Sequence, residues 1–144
     1  MVNDTGDRIL LIDPEEATRA HISEFLSRLG FRVTAVDIPS AALEHLAEEP
    51  YVTVLMDMTG REAEGISFHE DLAHRSPNVP MIAMSAAPTV RSVIASLRQG
   101  VFDYVIKPYE IQDLAAIVPR AVERYRASVR IGTPADDGPA VTCD

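Results

Sequence analysis

The sequence predicts an α/β domain, with a five-stranded parallel sheet, doubly wound and flanked by five helices. Three observations predict it. Five short apolar runs recur along 144 residues, and each is followed by a segment of helical length. Three of the runs are almost continuously apolar, as strands covered on both faces are. A strand–helix alternation of this kind demands a mostly parallel sheet with right-handed crossovers.

The elements follow in order. RILLID (8–13) reads as the first strand. Residues 15–29 place Ala17, Ile22, Phe25, Leu26 and Leu29 on one helical face, and Gly30 supplies a stop. FRVTAV (31–36) alternates, which predicts a strand near an edge. A helix over 38–48 carries Ala42, Leu43 and Leu46; VTVLMD (52–57) is the third strand. A helix over 65–75 carries Ile66, Phe68 and Leu72 and ends before Pro77. MIAMS (81–85) is followed by a helix over 89–99 with Val90, Val93, Ile94 and Leu97, stopped by Gly100. DYVIK (103–107) is the fifth strand. The last helix, 110–130, carries Ile111, Leu114, Ala115, Val118, Val122 and Tyr125. Pro119 lies inside it, at a cost of about 3 kcal/mol. The apolar period continues past this proline, so a kink near 115–119 is expected and not an end. Met56, Met58, Met81 and Met84 sit in or beside the central runs as core filling.

Residues 8–130 are therefore one domain, with 1–7 as an N-terminal extension. The segment IGTPADDGPAVTCD (131–144) has the composition of a disordered tail or linker stub. Cys143 is the single cysteine, so no intrachain disulfide is possible. MVNDTGDR has no secretory signal character, and no apolar run reaches the roughly 18 residues of a membrane span. A cytoplasmic protein is expected. The net charge of −9 argues against a nucleic-acid surface and against an anionic membrane as partner.

Four of the five strands end in a polar group: Asp13, Asp57, Ser85 and Lys107. Open parallel sheets bind ligands outside the carboxyl ends of their strands, so these groups are expected to converge. A carboxylate is a competent nucleophile toward phosphorus. Mg²⁺ is held by one or two carboxylates plus waters and phosphoryl oxygens. Lysine gives a point charge to an oxygen, and serine a hydroxyl donor. Together they suit formation of an acyl phosphate on an aspartate. Plainer readings stand beside this one. Asp13 also reads as an N-cap, with Pro14 at the first helical position and Glu16 closing a capping box. Asp57 ends a buried run, where an unpaired charge is costly. Lys107 also reads as an ordinary ion-pair partner. His21, His45, His69 and His74 form no metal pattern and are expected on helix surfaces. No Gly-rich loop follows the first strand, which disfavours a nucleotide or flavin enzyme.

From about residue 8 to 127 the chain resembles the receiver domain of bacterial two-component response regulators. The stretches that carry the likeness are ILLID, VTVLMD with Gly65 eight residues on, MIAMSA, and QGVFDYVIKP. In the last, Phe102, Asp103, Tyr104, Lys107 and Pro108 stand in the family's register. The resemblance implies a flavodoxin-like sheet of order 2-1-3-4-5. It implies Asp57 as phosphoacceptor, loaded from a histidine kinase or phosphotransfer protein. Mg²⁺ would sit at Asp13, Asp57 and the backbone carbonyl of Thr59. Ser85 and Lys107 would bind phosphoryl oxygens, Ser85 and Tyr104 would form the signalling switch, and the Lys107–Pro108 bond would be cis. No enzyme is implied beyond self-catalysed phosphoryl transfer and hydrolysis at Asp57. An output domain or a homodimer would use the face of helix 4, strand 5 and helix 5.

Three positions depart from the family pattern. Pro14 stands where a second acid is usual, and Glu15, rotated by roughly 100° if helical, points elsewhere. Weakened Mg²⁺ binding is expected. Arg61 replaces a usual proline and reads as a solvated loop charge, the alternative being a reach toward the phosphoryl group or a partner. Pro119 falls in the helix of the signalling face. The rival reading is a pseudo-receiver, a phosphorylation-independent interaction module; Pro14 favours it, and Asp57, Ser85 and Lys107 oppose it.

Overall fold

The computed structural model describes residues 6–108 and 110–131. Most of the N-terminal extension, and the tail apart from Ile131, lie outside the described residues. These form five strands and five helices in strict alternation: β1 (Arg8–Ile12), α1 (Glu16–Arg28), β2 (Arg32–Val36), α2 (Pro39–Glu48), β3 (Thr53–Asp57), α3 (Glu62–Arg75), β4 (Met81–Ser85), α4 (Val90–Gln99), β5 (Asp103–Ile106) and α5 (Ile111–Ile131). The strands form one parallel sheet in the order β2-β1-β3-β4-β5. Ile12 pairs with Val36 and Met56, Asp57 with Met84, and Ser85 with Ile106. That register brings the carboxyl ends of the strands to one rim.

Alternation within each buried strand divides the core in two. Ile9, Leu11, Leu55, Ile82 and Met84 pack with Ile22 and Leu26 of α1 and Leu114, Val118 and Val122 of α5. Leu10, Ile12, Val54, Met56, Met81 and Ala83 pack with Ala42 of α2 and Phe68 and Leu72 of α3. β3 and β4 are buried along their whole length, whereas β2, at the edge, is only partly covered, as its alternating sequence foretold. α4 is the least embedded helix: it buries Ser96 but exposes Val90, Ile94 and Leu97. The two predicted glycine stops hold, with Gly30 at φ +100° and Gly100 at φ +112°, values that favour glycine.

Some local expectations are corrected. Asp13 is not the cap of α1. The helix starts at Glu16 behind an extended Glu15, so Pro14 is not its first residue. Asp13 is wholly buried, and its Oδ1 accepts the Glu15 N–H at 2.9 Å as a local turn instead. α3 begins at Glu62, three residues early, with Glu62 and Glu64 placed at the positive end of its dipole. His69 is not a surface residue; it is only 8% exposed. It belongs to the buried face Gly65, Phe68, His69 and Leu72, which follows the i, i+3, i+4, i+7 helical spacing. His21 and His74 are exposed and His45 half-buried. α5 runs through Pro119 without ending. No helix among the described residues is long and apolar enough to cross a membrane.

One packing detail positions the site. Gly65 lies against Met58, the fully buried residue that follows β3. A Cβ at 65 would stand 2.6 Å from Met58 Cε and 2.7 Å from its Cγ. Side chains do not approach so closely, so only glycine leaves Met58 where it is.

Candidate functional site

β1, β3 and β5 bring three of the four predicted groups together, with Lys107 between the two acids. Lys107 Nζ lies 3.1 Å from Asp57 Oδ2 and 3.5 Å from Asp13 Oδ2. Asp13 is fully buried and Asp57 is 5% exposed. Ser85, at the end of β4 beside them, is also buried; its Oγ accepts the Ala87 N–H at 3.1 Å and so faces its own loop. Arg19 of α1 donates to the Asp13 carbonyl at 2.7 Å, tying the helix to the strand end. The Lys107–Pro108 bond is cis. Tyr104 packs beside the second core, and its phenol oxygen is buried without a hydrogen-bond partner among the described residues.

The other oxygen of Asp57 is held by Thr59. Oδ1 accepts the Thr59 backbone N–H at 2.9 Å and its hydroxyl at 2.6 Å. The same hydroxyl accepts the Ala86 N–H at 2.8 Å. Sequence reasoning assigned Thr59 only a backbone carbonyl and missed this side-chain role. The available signal was a hydroxyl two residues after a buried aspartate, the spacing at which a turn returns a donor to the carboxylate.

Burial pushes both carboxyls upward, and their partners then separate them. For Asp13 burial prevails; the Glu15 N–H and Lys107 pull down, but the group remains above its ordinary range, with Asp57 adding to the rise. For Asp57 the Thr59 hydroxyl and N–H, with Lys107, overcome burial and hold the carboxyl below its ordinary range. The two neighbouring acids are thus driven apart, and Asp57 is the one whose anionic form its surroundings favour.

Two carboxylates facing one rim meet the minimum that Mg²⁺ asks of protein, the remaining ligands being waters and phosphate oxygens. They go no further: no group of three or more His, Cys, Asp or Glu suited to a metal occurs among the described residues. Pro14 offers no side-chain ligand, and the exposed Glu15 carboxylate accepts a hydrogen bond from Thr18. Arg61 is not a freely solvated charge. Its side chain is 21% exposed, Nη1 lies 3.5 Å from Glu64 and Nη2 3.5 Å from the Asp37 carbonyl, so it spans the loops after β3 and β2.

An open parallel sheet of order 2-1-3-4-5, with two carboxylates and an ammonium at its carboxyl rim, is the layout of the flavodoxin-like receiver fold. Comparison with known proteins bears this out. The family model of the response regulator receiver domain matches residues 9–119, and the chain belongs to that family. The regulatory protein AtoC of Escherichia coli is 33% identical over 117 residues, which are 81% of this chain and 25% of AtoC. The response regulator FleR of Pseudomonas aeruginosa is 32% identical over 113 residues, 78% of this chain and 24% of FleR. The chain thus spans about a quarter of the curated relatives it matches. Among solved structures, NtrX from Brucella abortus in complex with ADP superposes with a TM-score of 0.79 at 20% identity, covering 89% of this chain and 29% of NtrX. The signal receiver domain of an HD domain-containing protein from Pseudomonas fluorescens gives 0.78 at 20% identity, covering 85% and 98%. At that identity the likeness speaks for the fold alone. Receiver domains are signalling modules without a classical catalytic role; they generally bind Mg²⁺ at a phosphorylation site and interact with histidine kinases or phosphotransfer proteins.

Proposed function

We propose that this receiver domain is a phosphorylation-driven switch in which Asp57 accepts a phosphoryl group from a phosphohistidine of a kinase or phosphotransfer protein. The observation that carries the reading is the ion pair at 3.1 Å between Lys107 and an Asp57 carboxylate held anionic at the sheet rim. In the transfer, the P–N bond of the donor imidazole breaks and an O–P bond forms on Asp57. The imidazole keeps the electron pair and takes up a proton. Lys107 neutralises a phosphoryl oxygen, and Ser85 turns from Ala87 to donate to another. Tyr104, whose phenol oxygen is already buried, repacks as Ser85 moves. Bound Mg²⁺, held by Asp13, Asp57 and the Thr59 carbonyl, supplies further positive charge, with low affinity because Pro14 takes the place of an acid. The output face is α4–β5–α5, where Val90, Ile94, Leu97 and Ile106 are exposed; an output domain or a second copy is its partner. The unit is residues 8–130, working in the cytoplasm, with 131–144 as a tail or linker.

The test is incubation with Mg²⁺ and acetyl phosphate. The wild-type chain gains the mass of one phosphoryl group and Asp57→Asn gains none. Half-saturation lies at higher Mg²⁺ for the wild type than for Pro14→Asp. Absence of any mass gain, at every Mg²⁺ concentration, would support the pseudo-receiver reading, which the Pro14–Glu15 arrangement favours.

A further inference from the structure

We propose that the Thr59 hydroxyl is a positioning group that reads the charge on Asp57 and passes it to the loop between β4 and α4. Its trigger rests on the phosphoacceptor reading above; the hydrogen-bonded link itself does not.

A hydroxyl has one proton and two lone pairs. Here the hydroxyl oxygen lies 2.6 Å from Asp57 Oδ1 and donates its proton there, and a lone pair takes the Ala86 N–H at 2.8 Å. The result is a directed chain, from the Ala86 amide through the Thr59 hydroxyl to a carboxylate. Its terminal acceptor is anionic, and charge-assisted hydrogen bonds are roughly twice as strong as neutral ones. Neighbouring links polarise one another, so the charge at one end strengthens the amide bond at the other. The Thr59 backbone N–H also binds Oδ1, but it has no second partner to inform. It is the side chain that joins the loop after β3 to the loop after β4.

That second loop is the approach to α4. Ala86 follows Ser85, and three residues later Thr89 closes a capping box with Ser92 at the helix start. The loop is therefore held at two adjacent amides, Ala86 by Thr59 and Ala87 by Ser85. Phosphorylation turns the Asp57 carboxylate into an acyl phosphate. Its carbonyl and ester oxygens are uncharged acceptors, the hydroxyl loses its charge assistance, and the Ala86 amide is released to turn toward the phosphoryl oxygens. The unmodified state is thus latched, and acylation opens the latch from within.

The experiment follows the Ala86 amide by NMR in the full ¹⁵N-labelled chain, with and without acetyl phosphate and Mg²⁺. Thr59→Val keeps shape and removes both links. It moves the Ala86 resonance to higher field and speeds its hydrogen exchange about tenfold, the weight of one net hydrogen bond. Thr59→Ser restores both. Asp57→Asn, which leaves Thr59 intact but uncharges its acceptor, shifts Ala86 part of the way in the same direction. An Ala86 signal that ignores Thr59→Val or Asp57→Asn, in variants that retain the wild-type circular dichroism, overturns the latch. Since these variants are read without phosphate, a wild type that takes up no phosphoryl group would sink the phosphoacceptor reading separately.

Discussion

The carboxyl rim of the sheet and the seam between α3 and α4 both bury polar side chains, and they treat them differently. At the rim Asp13, Asp57, Thr59, Ser85 and Lys107 are all bonded, most of them to each other or to a backbone amide. In the seam, His69 Nδ1, Ser96 Oγ and Gln99 Oε1 are buried without a hydrogen-bond partner among the described residues. Gln99 is anchored only through Nε2, to the Ile66 carbonyl. Burial of a polar group costs free energy unless a partner returns it. The rim therefore holds its acids through a shared cation, so that deleting Lys107 strands both carboxylates. The seam holds its polar atoms at a loss, so that deleting one should cost little.

Four measurements sharpen or break that contrast. The largest effect is expected for Lys107→Ala, which strands two buried carboxylates. Urea unfolding at pH 7 should show a loss of about 3 kcal/mol. As the pH falls below the ordinary 3.8 and through the lowered folded value of Asp57, most of that loss should vanish. An equal loss at both pH values would mean that Lys107 packs and does not neutralise.

Asp13→Asn should act with the opposite sign. The folded-state value for Asp13 lies above the ordinary 3.8, so its ionised form opposes folding. Its contribution is fully present below 3.8 and is lost as pH rises through the raised folded value. The asparagine variant should be more stable than the wild type at pH 7, and no different once the pH is below the ordinary carboxyl value. It should also phosphorylate more slowly, the usual exchange of stability against function at a charged site.

In the seam, burial holds the His69 imidazole below its ordinary 6.5, so the folded protein keeps it neutral. The unfolded chain takes the proton first, and stability falls as pH drops from 6.5 toward the lowered folded value. His69→Leu should remove that slope and change stability at pH 8 by no more than about 1 kcal/mol. A slope that persists in the variant would place its origin elsewhere. The smallest effect is expected for Ser96→Ala: unchanged stability or a gain of roughly 0.5 kcal/mol, since no bond is lost. A loss above about 1 kcal/mol would reveal a partner for Ser96 and erase the contrast at that residue.

Legibility in the sequence followed the same division. The strands were readable because an apolar run that stops at Asp13, Asp57 or Ser85 states both its burial and its end. The convergence of Asp13, Asp57 and Lys107 followed from parallel topology, which puts like ends together. The start of α3 was not readable, because TGREAEG holds no large apolar residue before Ile66 to carry a period. Asp13 was credited with a cap because local spacing permits one; burial at the rim, a tertiary matter, decided otherwise. The Thr59–Ala86 bond crosses 27 residues and depends on two loops meeting, which no local pattern encodes. His69 was legible in principle. Its register with Gly65, Phe68 and Leu72 was on the page, but its chemistry outweighed its position.

The contact between Gly65 and Met58 has a practical consequence for anyone reshaping this molecule. Exchanging the third helix for one from a relative, or seeding diversity at its first turn, would press directly on the residue next to Asp57. The two stretches have to be exchanged as a single cassette, and a library that leaves position 65 open would fill with members in which the carboxylate of Asp57 has been nudged away from Lys107.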